Sequence, residues 1–194
     1  MARYIVGMTG ASGSIYGTRL AEEILRYGHE VYLVMTDNGK KVFAYELEME
    51  FEEWTKKVNK KGQRLILCNI DDMFSPIASG SFRTDGMIIV PCSMGTLAKV
   101  SNGITDNLLT RAADVMMKEK RKLVIVPRET PFHSIHLKNM LALSDLNVTI
   151  LPAIPCFYGK PKTLDDIVHH SAGRMLISLG IENDLYYRWK GPGA

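Results

Sequence analysis

Five short apolar runs recur along the chain, and each stops at residues able to grip a charged ligand. Residues 5–8 lead into GASG, 31–34 into Met35-Thr36-Asp37, 87–90 into PCSMGT, 123–126 into PRETPFH, and 148–151 into PAIPCFYG. Near-continuous apolar runs of this length, separated by amphipathic stretches, suit a parallel sheet covered on both faces. Right-handed crossovers then bring every carboxyl end to one edge. Residues far apart in sequence are predicted to meet there around a single crevice.

The fold class that follows is α/β: a single-domain, Rossmann-like or flavodoxin-like doubly wound parallel sheet with helices on both faces. At 194 residues and 46% hydrophobic content, the chain buries one substantial core. The predicted layout is one domain over 1–189 and a flexible tail over 190–194. Cys68, Cys92 and Cys156 are odd in number, widely spaced and free of any CxxC pair, so neither a disulfide framework nor a zinc site is indicated and a reduced, cytoplasmic setting fits best. No run reaches membrane-spanning length, and the first residues enter a strand rather than a signal peptide, so no membrane partner is expected. A formal charge of +3, from 24 basic and 21 acidic side chains, is too mild to imply nucleic acid.

Between the runs, helical spacing predicts helices over 14–27, closed by Gly28, and around 40–48. Others are predicted from 106 or 107 to 118, over 131–144 with Thr130 as cap and Pro131 in the first turn, and over 163–179 with Thr163 and Asp166 forming a capping pattern. Residues 65–70 read as a further strand, IASGSFRTDG as a loop, and the charged stretch around Trp54 as a polar segment.

The chemistry begins at the first turn, where Gly10, Gly13 and Gly17 permit close backbone approach and the following helix offers amides to an anion such as a phosphate or flavin. The spacing is not the G-x-G-x-x-G fingerprint, although Asp37 imitates the ribose-binding acid of that fold. PCSMGT supplies a second cradle of hydroxyls and glycine. Arg128 can bind phosphate bidentately, and Glu129 beside it can move a proton in a closed site; a surface ion pair is the alternative. His133 and His136 sit at i, i+3 without further acid or cysteine ligands, so no metal is assigned. Tyr158 follows the last strand and Arg174 flanks an apolar helical stripe. With Lys118 and Arg128 they amount to more positive charge than one flavin phosphate requires, which implies a second phosphorylated substrate.

GMTGASGSIYG, PCSMGTL, DNLLTRAADVMMKE, VPRETPFHSIHLKNMLALS and PAIPCFYGKP, in this order, closely resemble the UbiX-type flavin prenyltransferases, formerly described as aromatic acid decarboxylase subunits. The resemblance runs from Arg3 to Trp189. It implies a metal-independent enzyme that joins the dimethylallyl group of dimethylallyl phosphate to reduced FMN, giving prenylated FMN for a UbiD-type decarboxylase. It also implies a homo-oligomer, trimers assembled into a dodecamer.

Carried over by position, the resemblance makes Gly10, Ala11, Ser12, Thr36, Ser93, Met94, Gly95, Thr96 and Arg128 the FMN contacts. Tyr158 and Arg174 become the ligands of dimethylallyl phosphate, with Lys118 near the same phosphate. Glu129 becomes the proton-handling acid, and Ser12 with Glu46 a proton relay. Where many relatives carry a tryptophan before ASGSF, this chain has Met73 and Phe74. The rival readings are a decarboxylase of the phosphopantothenoylcysteine type, whose PASANT-like segment PCSMGT replaces, an NAD-dependent oxidoreductase, and an FMN carrier with the same cradle.

Overall fold

The computed structural model describes residues 1–59, 64–189 and 191. Six strands, β1 (Arg3–Met8), β2 (Glu30–Met35), β3 (Arg64–Cys68), β4 (Gly86–Cys92), β5 (Leu123–Pro127) and β6 (Thr149–Ile150), form one sheet in the order β3-β2-β1-β4-β5-β6. Every neighbouring pair is parallel. The order reverses between β1 and β4, which makes this a doubly wound sheet with its switch point there. Because Met8 lies opposite Met35 and Cys92 opposite Pro127, four strands stop close together and their following turns share an edge.

Both faces are buried, and β4 shows why its run is continuously apolar. Met87 and Ile89 pack into one core cluster with Leu97, Leu109, Met116 and Ile125, while Ile88 and Val90 join Leu20, Ile24, Val124 and Leu176 in the other. All four strand side chains are fully buried, each contributing about 1.5–3 kcal/mol of transfer free energy before entropy is set against it. The helices that cover the sheet are α1 (Ser14–Arg26), α2 (Asp37–Leu47), α3 (Phe51–Val58), α4 (Met94–Ser101), α5 (Leu108–Lys118), α6 (Ser134–Asp145) and α7 (Leu164–Leu179). Gly17 lets α1 sit directly on β4, since a Cβ there would lie 2.6 Å from the carbonyl oxygen of Val90.

Capping follows the sequence at α5, where Asn107 and Thr110 bond reciprocally, and at α7, where Thr163 and Asp166 do the same. Three expectations change. The stretch around Trp54 is helical, because Phe51, Trp54 and Val58 recur at helical spacing and bury one face, with the Trp54 indole donating to Glu22. Helix α6 begins at Ser134 rather than 131; its cap is the His133 imidazole, which accepts from the Ile135 amide, and not Thr130. The strand predicted over 65–70 ends at Cys68, where Asn69 and Asp72 turn the chain by accepting from the amides of Asp71 and Phe74. The tail expected to be flexible, 190–194, lies outside the described residues except for Gly191.

Candidate active site

At the switch point the two central strand ends are tied together by Thr9. Its hydroxyl donates to the Pro91 carbonyl at 2.8 Å and accepts from the Ser93 amide at 2.8 Å, and the residue is 2% exposed. This bond sets the spacing between the GASG turn and PCSMGT. No motif singled Thr9 out, since only the pairing of β1 with β4 brings residue 9 to residue 91.

One side of the GASG turn faces a cavity of about 700 Å³ lined by Gly10, Thr36, Asn38, Ser93, Gly95 and Thr96, among others. Its hydroxyls are fixed by capping. Thr36 accepts from the Gly39 amide at 3.1 Å, and Ser93 accepts from the Thr96 amide at 3.3 Å while its hydroxyl reaches Thr96 Oγ1 at 3.1 Å. Helices α2 and α4 therefore both point their positive ends at this cavity, as an anionic ligand prefers. Ala11 and Met94 are buried, so Met94 faces this side through its backbone and its side chain belongs to the core.

The amides of α1, expected to await an anion, are already taken. The Glu46 carboxylate, from the end of α2, accepts from Gly13 at 3.0 and 3.1 Å and from Ser14 at 2.8 Å. Gly13 adopts φ 111°, left-handed backbone that glycine reaches without strain, and so turns its amide toward Glu46. Burial by itself raises the Glu46 pKa, but bonds from Ser12, Ser14 and Gly13 outweigh it and hold the carboxyl below its ordinary value. An anionic ligand must therefore be gripped by α2 and α4 rather than by α1.

The other side of the turn opens on a cavity of about 500 Å³ that brings Ser12 and Tyr16 together with Arg128, Glu129, Phe132 and Ile154. Glu129 Oε1 accepts only from the adjacent Thr130 amide, and Arg128 makes no ion pair, among the described residues. Beyond the strip Pro152–Ile154, which lines both, lies a third cavity of about 310 Å³ holding Tyr158, His170 and Arg174. The guanidinium of Arg174 stands 5.6 Å over the Tyr186 ring and is otherwise exposed. Hydrogen bonding to Cys156, and then burial, hold the Tyr158 phenol above its ordinary pKa, so it stays protonated and able to donate.

The single crevice expected from the sequence is thus three adjoining depressions along one edge. Ser93 lines the first, Ser12 and Glu129 the second, and Tyr158 the third, with the GASG turn and Pro152–Ile154 as the partitions. Lys118 does not join them within one chain. It ends α5 beside Glu119 and Gly80, at the rim where β4 and β5 begin. Met73 and Phe74, ahead of ASGSF, are both exposed, Phe74 completely. Among the described residues no helix is long and apolar enough to cross a membrane.

A family model described as Flavoprotein matches residues 1–176. The chain is 51% identical over 189 residues, 95% of its length and 94% of the relative's, to the flavin prenyltransferase UbiX of Alkalihalophilus pseudofirmus. Its fold superposes with a TM-score of 0.92 on AnUbiX (PadA1) in complex with FMN and dimethylallyl pyrophosphate, at 40% identity and 98% coverage of each chain. It superposes with a TM-score of 0.89 on a dodecameric FMN-dependent UbiX-like decarboxylase from Escherichia coli O157:H7, at 45% identity, covering 97% of this chain and 100% of the other.

Proposed function

The chain belongs to the UbiX family of flavin prenyltransferases, and from that premise we propose how its edge divides the work of joining a dimethylallyl group to reduced FMN. The observation that supports the division most directly is the contrast along the edge: capped hydroxyls and two helix N-termini on one side of the GASG turn, and on the other cations without ion pairs among the described residues. FMN, bound in its reduced form, supplies the nucleophilic ring nitrogen and then a ring carbon. Gly10, Thr36, Ser93, Gly95 and Thr96, with backbone from Ala11 and Met94, hold its polar parts, and Ser12 and Arg128 reach it from across the turn.

Dimethylallyl phosphate is the second substrate, and Tyr158 and Arg174 are its phosphate ligands. As the allylic carbon–oxygen bond breaks, its electron pair leaves with the phosphate, where the Arg174 guanidinium and the Tyr158 hydroxyl meet the growing charge. Such fixed donors perform the task that a metal performs in other allylic ionisations. The apolar strip Pro152–Ile154, with Phe132 and Tyr16, walls the second cavity and keeps water from the allylic carbon. Glu129, opposite Ser12, takes the proton lost when the flavin ring regains aromaticity. Glu46, already bonded to Ser12, Gly13 and Ser14, serves as the ionised end of a Ser12 relay.

A second copy of the chain completes the arrangement. Helix α6 leaves Ile135, Leu137 and Leu141 each more than half exposed, a face suited to self-association, and it begins next to Phe132 of the second cavity. In a homo-oligomer, up to a dodecamer built from trimers, Lys118 of a neighbouring copy reaches the phosphate that its own chain cannot offer it. The product, prenylated FMN, passes to a UbiD-type decarboxylase. Three unpaired cysteines support a reducing, cytoplasmic setting.

Anaerobic incubation with reduced FMN and dimethylallyl phosphate tests the reading. The extracted flavin gains the mass of one prenyl unit; an unchanged flavin mass would return the chain to the carrier or decarboxylase readings.

A further inference from the structure

The three cysteines differ sharply in surroundings. Cys92 is completely buried in the core, which drives its thiol pKa far up, and Cys68 is raised by burial as well. Cys156 is half-buried in the loop after β6, with Sγ 3.1 Å from Nε2 of His170; the Tyr158 hydroxyl lies 3.3 Å from the same nitrogen. Arg174, one helical turn beyond His170 on α7, supplies positive charge to the same cavity. Cys156 and His170 also line a second cavity of about 370 Å³ with Lys160, Lys162 and His169, so the pair is reachable from both sides. An accessible sulfur 3.1 Å from an imidazole nitrogen is placed to hand its proton to that ring as it attacks an electrophile.

We infer that Cys156, activated by His170, is a modification site for hydroperoxides, and that its oxidation closes the cavity of Tyr158 and Arg174. His170 takes the Cys156 proton as sulfur attacks one peroxide oxygen, and the O–O bond breaks with its electron pair on the departing oxygen, which takes up a proton. Sulfur loses two electrons and becomes a sulfenic acid; the peroxide is reduced to water, or to an alcohol if it is organic. The added oxygen sits where it accepts from the Tyr158 hydroxyl and the Arg174 guanidinium, the donors required by the phosphate of the prenyl donor. The closure therefore rests on the assignment of those two residues made above, whereas the thiol's reactivity does not.

The test uses the full-length protein. Iodoacetamide labelling at neutral pH, mapped by peptide mass, modifies Cys156 about tenfold faster than Cys68 and leaves Cys92 untouched; His170→Gln removes that advantage while the Cys68 rate stays constant, which certifies the fold. After treatment with hydrogen peroxide and its removal by catalase, dimedone tags Cys156, and prenyl transfer falls in proportion to the tag. Dimethylallyl phosphate present during the treatment protects both. The prenyl transfer of Cys156→Ser, measured against its own untreated rate, resists peroxide. Labelling of Cys156 no faster than Cys68, or no effect of His170→Gln on its rate, overturns the activated thiol. A Cys156→Ser variant as peroxide-sensitive as the parent overturns the closure. Absence of prenyl transfer in the untreated protein overturns the functional reading alone, because the labelling rates report the thiol by themselves.

Discussion

The two flanks of the GASG turn are built on opposite principles. On the flank facing Thr36 and Ser93, polar groups are spent on the protein itself: Thr9 bridges β1 and β4, Thr36 and Ser93 cap helices, and Glu46 closes α1. On the flank facing Arg128, Glu129 and Arg174, side chains stand without ion pairs among the described residues. A preorganised surface holds a large planar ligand without reorganising. An uncommitted set of charges retains its strength for an ion that comes and goes. Substitutions on the first flank should thus show up as lost stability, and those on the second as lost turnover with the fold intact.

The largest separation comes from Glu129→Gln on the open flank. Turnover falls on the order of 10²–10⁴-fold, while flavin affinity and the unfolding midpoint stay unchanged; rapid turnover by this variant, measured from flavin mass against time, breaks the contrast. Next in size is Gly17→Ala, where α1 packs on β4; the new Cβ meets the Val90 carbonyl at 2.6 Å and the Met8 Cε at 2.7 Å. Denaturant unfolding should report about 3 kcal/mol of lost stability, with residual turnover per folded molecule preserved. Arg174→Ala removes a charge-assisted contact of about 2 kcal/mol and raises the KM for dimethylallyl phosphate by more than tenfold, with no change in FMN affinity or melting.

The smallest effect on stability belongs to Glu46→Gln, which weakens the α1 cap by about 1 kcal/mol and, because Glu46 also ends the Ser12 relay, slows turnover as well. Glu46 has a folded-state pKa below its ordinary value of 4.5. Its contribution is therefore complete above that value and is lost as pH falls below it toward the folded-state pKa. Chemical unfolding measured as a function of pH should show a shallower acid limb in the variant than in the parent. Equal acid limbs would remove Glu46 from the closed flank.

Sequence spacing made the strands and most helices legible, because a sheet buried on both faces leaves continuous apolar runs such as Met87–Val90 and because capping pairs such as Thr163 with Asp166 are local. Ser12 and Glu129 lining one cavity was legible as well, through the rule that parallel carboxyl ends share an edge. What escaped depends on contacts between distant elements. Glu46 finds α1 only because α2 packs beside it, and Thr9 meets Pro91 only across the switch point. Helix α3 is a different case, since Phe51, Trp54 and Val58 carried its periodicity but charged neighbours masked it. Charge counting and the resemblance both set Lys118 among the phosphate ligands, but α5 runs antiparallel to the strands and delivers it to the far rim.

The bridge from Thr9 to Pro91 and Ser93 also dictates when the protein can first hold its ligand. During synthesis β1, β2 and β3 emerge early and can zip side by side, yet the slot beside β1 stays unfilled until β4 has left the ribosome, more than eighty residues after Thr9. Flavin loading is for that reason a late event in the life of each molecule. A nascent polypeptide truncated before residue 91 would carry half of the receptor and none of the affinity.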